Sequence, residues 1–176
     1  VEDAALLDPG RGLRIQAHDG LHGNGLAAAA LAHNAQGFAL VHVEIHAAHG
    51  YILGVFLNQR DNKRTDEYGG SLANRARLAC EVIKAVKERV GSQLAILVRV
   101  SGEEYGQDGG LTLEEAIGAS KMFEQAGADA IHVTGWGRNP FDNFTDGPLP
   151  NKVGAYLENA AEVKKNVNVP VIAVGR

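Results

Sequence analysis

Cysteine is nearly absent: Cys80 is the only one in 176 residues. That excludes an internal disulfide and a cysteine-rich metal site, and a reducing, cytoplasmic setting is expected. Neither sign of charge is in excess. Lys+Arg number 17 against 21 Asp+Glu, for a net charge of -4. No basic stripe runs along the chain, which argues against nucleic acid as a partner. Long hydrophobic runs are also missing. The longest small apolar run, Ala27–Ala32, lies between Gly25 and His33. It is far shorter than the ~20 residues that cross a bilayer and is no signal-peptide core, so no membrane partner is expected. The chain starts Val1-Glu2-Asp3 without an initiator Met, from which a fragment or a processed product is expected. What remains is an ordinary globular composition, 45% hydrophobic, 22% charged and 6% aromatic, at a length suited to one domain.

Helix-period and strand-like segments alternate after a poorly patterned start. Residues 1–25 are irregular, and Leu26–Ala35 is Ala-rich and reads as a helix. Val41–His46 reads as a strand, with Val41, Val43 and Ile45 on one face and His42, Glu44 and His46 on the other. Ser71 can cap a helix from Leu72 to about Val90 that Gly91 stops. Leu94–Val100 is the next strand, with Arg99 opposite Ile96, Val98 and Val100. Thr112 and Glu115 form a capping-box pattern that opens a helix ending at Gly127. Ala130–Val133 is a third strand, followed by a long loop through Pro150. Val153–Asn166 reads as a helix and Val171–Val174 as a last strand.

Such alternation implies right-handed βα crossovers and a parallel sheet. A doubly wound dinucleotide fold would show a G-x-G-x-x-G turn between a strand and a helix, and none occurs. Polar residues instead crowd the strand C-termini: His46, Arg99, Thr134 and Gly175. Barrel enzymes build their sites at that end. The expected fold is therefore α/β, of the (β/α)8 TIM-barrel type, spanning residues 26–176. A full barrel takes about 250 residues, so about four βα units make an incomplete one. Half a barrel would leave two sheet edges unpaired, so a homo-oligomer or continuation in a longer chain is expected.

The densest cluster of reactive side chains is Val43-Glu44-Ile45-His46-Ala47-Ala48-His49-Gly50-Tyr51. Two imidazoles and a phenol at one strand end can polarise a carbonyl and deliver a proton. They could equally be polar plugs in a barrel mouth. Arg99, on the same face as Glu44, is either a salt-bridge partner or a ligand contact, because an unpaired buried guanidinium is costly. His46, His49 and His132 could together serve a metal-assisted hydrolase, but no nearby carboxylates complete a recognisable ligand set. On composition, Asn62–Arg77 reads as a solvated loop with an ordinary helix cap.

The run from Val43-Glu44-Ile45-His46 through Asn62-Lys63-Arg64-Thr65-Asp66-Glu67-Tyr68-Gly69-Gly70-Ser71 and Asn74-Arg75-Ala76-Arg77 closely resembles the signature of the old yellow enzyme family. These are FMN-dependent NAD(P)H:flavin oxidoreductases. The resemblance continues through Arg99-Val100-Ser101 to Pro170-Val171-Ile172-Ala173-Val174-Gly175-Arg176. Val133-Thr134-Gly135-Trp136 and Pro148-Leu149-Pro150 look most like the branch of dienoyl-CoA reductases and amine dehydrogenases. The chain has no Cys-rich motif for that branch's iron–sulfur module. It also departs from the family pattern: Asn58-Gln59 stands where Ser-Pro is usual, and Gly54-Val55 where Asn-Gln is usual.

The resemblance implies reduction of an activated alkene, an unsaturated carbonyl or thioester, with FMN as cofactor and NAD(P)H as co-substrate. It implies that His46 and His49 hold the substrate's carbonyl oxygen and that Tyr51 protonates the carbon α to it. Arg99 would contact the flavin near N1, where a fixed cation suits the charge that builds on reduction. Gly175 and Arg176 would lie at the FMN phosphate. No metal is implied. The rival expectation is a non-catalytic or truncated barrel fragment that binds no flavin.

Overall fold

The computed structural model describes residues 42–106, 108–139, 142–144, 154 and 156–174. The irregular segment 1–25, the helix expected at Leu26–Ala35, and Gly175 and Arg176 lie outside the described residues. The chain divides into two units, Val1–Leu40 and Val41–Arg176, and all that follows concerns the second.

Strands β1 (His42–Ala47), β2 (Ala95–Tyr105), β3 (Ala130–Asn139), β4 (Asp142–Phe144) and β5 (Val171–Ala173) alternate with helices. The helices are α1 (Ile52–Leu57), α2 (Leu72–Val90), α3 (Leu113–Ala126) and α4 (Leu157–Asn166). β1 pairs with β2, β2 with β3 and β3 with β5, all parallel. The four parallel strands thus lie side by side in chain order. A doubly wound sheet reverses its strand order part-way, whereas a barrel does not. This is an arc of a (β/α) barrel containing four parallel strands.

Local chemistry accounts for the helices. Ser71 Oγ accepts from the Asn74 N–H at 3.3 Å, and the α2 basic residues Lys87 and Arg89 sit in its last turn, where the helix dipole favours cations. Thr112 and Glu115 complete a reciprocal capping box at the start of α3. The two longest helices turn apolar residues inward at helical spacing. Ala76, Ala79 and Ile83 of α2 are buried, as are Ala116, Ala119 and Phe123 of α3. They pack with one strand face, Ile45, Ala47, Ile96, Val98, Val100, Ile131 and Val133, into a single core. No helix among the described residues is long and apolar enough to cross a membrane.

Two expectations need correcting. β2 and β3 run several residues beyond the strands read from sequence, to Tyr105 and Asn139. The expected long loop after β3 is also not all loop. The chain turns back after Asn139 into β4, antiparallel to β3, with Gly137 opposite Phe144. Backbone pairing explains both. The β2 and β3 extensions satisfy each other's amides across a register shift between Ser101 and Glu104, an advantage that no side-chain pattern announces.

Candidate active site

β1 alternates, so Ile45 enters the helix-side core while Glu44 and His46 take the opposite, inner face. Immediately after the strand, His49 (φ 55) and Gly50 (φ 70) adopt consecutive left-handed conformations. A non-glycine residue there is strained, and such strain persists only where its surroundings enforce it. The Tyr51 N–H then donates to the Ala48 carbonyl at 3.1 Å, and Tyr51 precedes α1. This tight reversal brings three rings together. His46 and His49 have ring centroids 5.2 Å apart, and His46 and Tyr51 lie 4.9 Å apart, edge to face. Tyr51 is 63% exposed, so its phenol is open to an incoming molecule.

Hydrogen bonds fix the imidazoles. The Ala48 N–H donates to His46 Nδ1 at 3.3 Å, so in the neutral ring the proton sits on Nε2. His49 Nε2 bonds Thr134 Oγ1 of β3 at 3.1 Å, tying the turn across to the third strand. Burial, and then the neighbouring Arg99 cation, lower the His46 pKa. The same causes, with His46 added, lower His49 to about 4. At neutral pH both rings are therefore neutral hydrogen-bonding groups, not cations.

Register sets the rest of the inner face. His46 pairs with Arg99, and Arg99 with His132, so the three form one lateral row across β1, β2 and β3. Glu44 hydrogen-bonds His132 Nδ1 instead of pairing with Arg99. That bond is the main reason the Glu44 carboxyl lies below its usual range. Of the two readings of Arg99, the salt bridge to Glu44 is not formed. Arg99 Nε, His132 Nε2 and Ser101 Oγ are buried without a hydrogen-bond partner. Buried polar groups are almost always satisfied, so an unpaired set on one face marks a place for a ligand. Among the described residues, no group of three His, Cys, Asp or Glu is placed to hold a metal ion.

The Asn62–Arg77 segment is the expected exposed loop over residues 63–67, with the Ser71 helix cap in place, but it is pinned at its ends by buried residues. Asn62 is buried and its amide donates to the carbonyls of Phe56 (2.7 Å) and Tyr68 (2.8 Å). Arg75, only 3% exposed, donates to the carbonyls of Leu57 and Gly70 and pairs with Glu115 of α3. A Cβ on Gly69 would lie 1.9 Å from the Arg64 carbonyl oxygen. The motif is a structural buckle, and charge composition could not reveal it because the buried Asn62 and Arg75 bond to backbone carbonyls. Sequence reasoning also did not single out Glu44–His132 as a pair, Ser101, or Trp136 beside Gly50. Period-2 alternation places His132 and Thr134 on one face of β3, but the register that sets His132 next to Arg99 is not legible from one strand.

The NADH:flavin oxidoreductase / NADH oxidase family matches residues 25–176. The chain belongs to this family. It is 41% identical over 133 residues to an NADH oxidase of Thermoanaerobacter brockii, covering 76% of this chain and 20% of that protein. It is 39% identical over 150 residues to a cinnamate reductase of Clostridium sporogenes, covering 76% of this chain and 22% of that protein. The structure of a 2-naphthoyl-CoA reductase in complex with 2-naphthoyl-CoA superposes with a TM-score of 0.65 at 34% identity, covering 75% of this chain and 20% of that one. The chain therefore spans about a fifth of the length of these relatives.

The family implies FMN, and the inner face suits it. A flavin's ring edge carries carbonyl oxygens and ring nitrogens, which complement a buried guanidinium N–H, a hydroxyl and an imidazole nitrogen that have no partner among the described residues. Of the residues the resemblance implied, the structure brings His46, His49 and Tyr51 together with Arg99 beside them.

Proposed function

We propose that the chain forms the substrate-activating part of an FMN-dependent NAD(P)H oxidoreductase that reduces activated alkenes. The observation that carries this reading is the convergence of His46, His49 and Tyr51 at the end of β1, next to the unpaired Arg99 Nε. Bound FMN, once reduced by NAD(P)H, would supply the hydride for the β-carbon of the alkene.

The chain's own residues would do the rest. His46 Nε2–H is a neutral donor, and it would bond the carbonyl oxygen of an unsaturated carbonyl or thioester. His49, locked to Thr134, would hold the same oxygen from the other side of the turn. As negative charge develops on that oxygen, donors already in position stabilise it without reorganising. The exposed Tyr51 phenol would deliver the proton to the α-carbon. Arg99 would face the cofactor rather than the substrate, its fixed charge countering the charge that accumulates on the reduced ring. Gly175-Arg176 would meet the FMN phosphate.

Titrating the chain with FMN, followed by flavin absorbance, and then adding NAD(P)H with an α,β-unsaturated acid or thioester tests this. The expected result is a yellow complex that consumes the alkene. A folded chain that takes up no flavin would overturn the proposal in favour of a non-catalytic fragment.

A further inference from the structure

Trp136 takes no part in the chemistry proposed above, yet it lies against Gly50, the residue between His49 and Tyr51. It is the chain's only tryptophan and sits on β3, two residues beyond Thr134. A Cβ built on Gly50 would fall 2.6 Å from Trp136 Cη2 and 3.0 Å from Cζ2. The indole thus fills the space that any other residue at position 50 would need. The ring is also held from elsewhere. The Arg60 guanidinium lies 6.0 Å from its centroid, within cation–π range. Arg60 is itself anchored: its N–H donates to the Gly109 carbonyl at 2.8 Å, and its Nε donates to Asp61 Oδ1 at 2.9 Å.

We propose that Trp136 is a positioning residue: pressed onto Gly50 and steadied by Arg60, its indole holds the left-handed His49–Gly50 turn that presents His49 and Tyr51. The assignment of a catalytic task to that turn rests on the proposed function, whereas the mechanical role does not. The turn is tied to β3 through the His49–Thr134 hydrogen bond and, separately, through the Gly50–Trp136 contact. A single hydrogen bond to an imidazole is a weak restraint on a strained backbone. The aromatic contact is the second restraint, and it explains why glycine is required at position 50 beyond its positive φ.

NMR titration of His49 is the direct test, because that imidazole titrates low through burial beside the turn. In Trp136→Ala the turn should open to water and His49 should titrate higher by about one pH unit or more. Trp136→Phe, which keeps a ring, should stay near the wild type. Gly50→Ala should raise the His49 pKa more in the wild-type background than in the Trp136→Ala background, where the indole clash is gone and only the strain of the positive φ remains. Additive effects, or His49 still titrating at about 4 in Trp136→Ala, would overturn the proposal. Should Trp136→Ala not fold, Gly50→Ala alone decides through the emission of the sole tryptophan: a shift is expected, and an unchanged spectrum overturns it. None of these readouts needs flavin or turnover. A chain that fails to reduce alkenes therefore sinks the proposed function alone, and an unmoved His49 in a chain that does reduce them sinks this inference alone.

Discussion

The end of β1 and the segment 58–77 carry equally distinctive sequence, but they are built on opposite principles. In the segment, polar side chains are spent on the protein itself. Asn62 binds two carbonyls, Arg75 binds two more and Glu115, and Gln59 Nε2 donates to the same Glu115 at 2.7 Å. At the strand end a backbone is strained, imidazoles are kept neutral, and Arg99 Nε and His132 Nε2 are left unpaired. Satisfied networks stabilise, while unsatisfied ones cost stability and wait for a ligand. Two stretches of one signature thus differ in kind, one holding the loops in place and the other carrying the groups that the proposed function assigns to substrate and cofactor.

The contrast is sharpest if one residue is removed from each region. Arg75→Ala should cost about 3–5 kcal/mol, since it leaves a largely buried Glu115 with only neutral donors from Gln59 and Thr112 and frees two carbonyls. Urea unfolding measures this, and a loss below about 1 kcal/mol would place Arg75 among ordinary surface ion pairs. Replacing His46 or His49 by Ala should do the reverse. Stability should change little while alkene reduction falls about 10²–10³-fold per donor at the upper end. An activity assay beside a melting curve separates the two outcomes.

Acid should strike the strand end first. His49 and His46 have lowered pKa values in the folded state, so the unfolded chain binds their protons more readily. Stability is then full above the ordinary imidazole value of about 6.5 and falls as pH drops from there toward about 4. The lowered Glu44 adds a loss of the same sign at lower pH, through the ordinary carboxylate range. Urea midpoints taken across this range should fall less steeply in His49→Gln, and an equal slope would show that His49 is not the titrating group. The smallest effect lies at the helix cap next to the buckle. Ser71→Ala should cost about 1 kcal/mol, with no change in the His49 titration.

Much of this is legible in the amino-acid sequence. The caps at Ser71 and Thr112, the alternation of β1 and the stop at Gly127 are local, so a sequence shows them. The cluster of His46, His49 and Tyr51 was readable for the same reason. The short helix α1 was not, because it has no side-chain cap and no charge bias at its ends, and the burial of Asn62 and Arg75 was not, because it depends on carbonyls of Phe56, Tyr68, Leu57 and Gly70 that only the folded chain brings near. The Glu44–His132 bond joins residues 88 positions apart across an intervening strand. Only strand register could reveal it, and register is a property of the assembled sheet.

The central claim, that the imidazoles serve the substrate and Arg99 serves the cofactor, is tested most directly by timing the two half-reactions through flavin absorbance in His46→Ala/His49→Ala and in Arg99→Ala. The double histidine variant should keep its flavin and be reduced by NAD(P)H at the normal rate, yet reoxidise slowly with alkene. Arg99→Ala should hold flavin weakly and be reduced slowly. A histidine variant that loses its flavin, beside an Arg99 variant that stays yellow and fully reducible, would contradict the account.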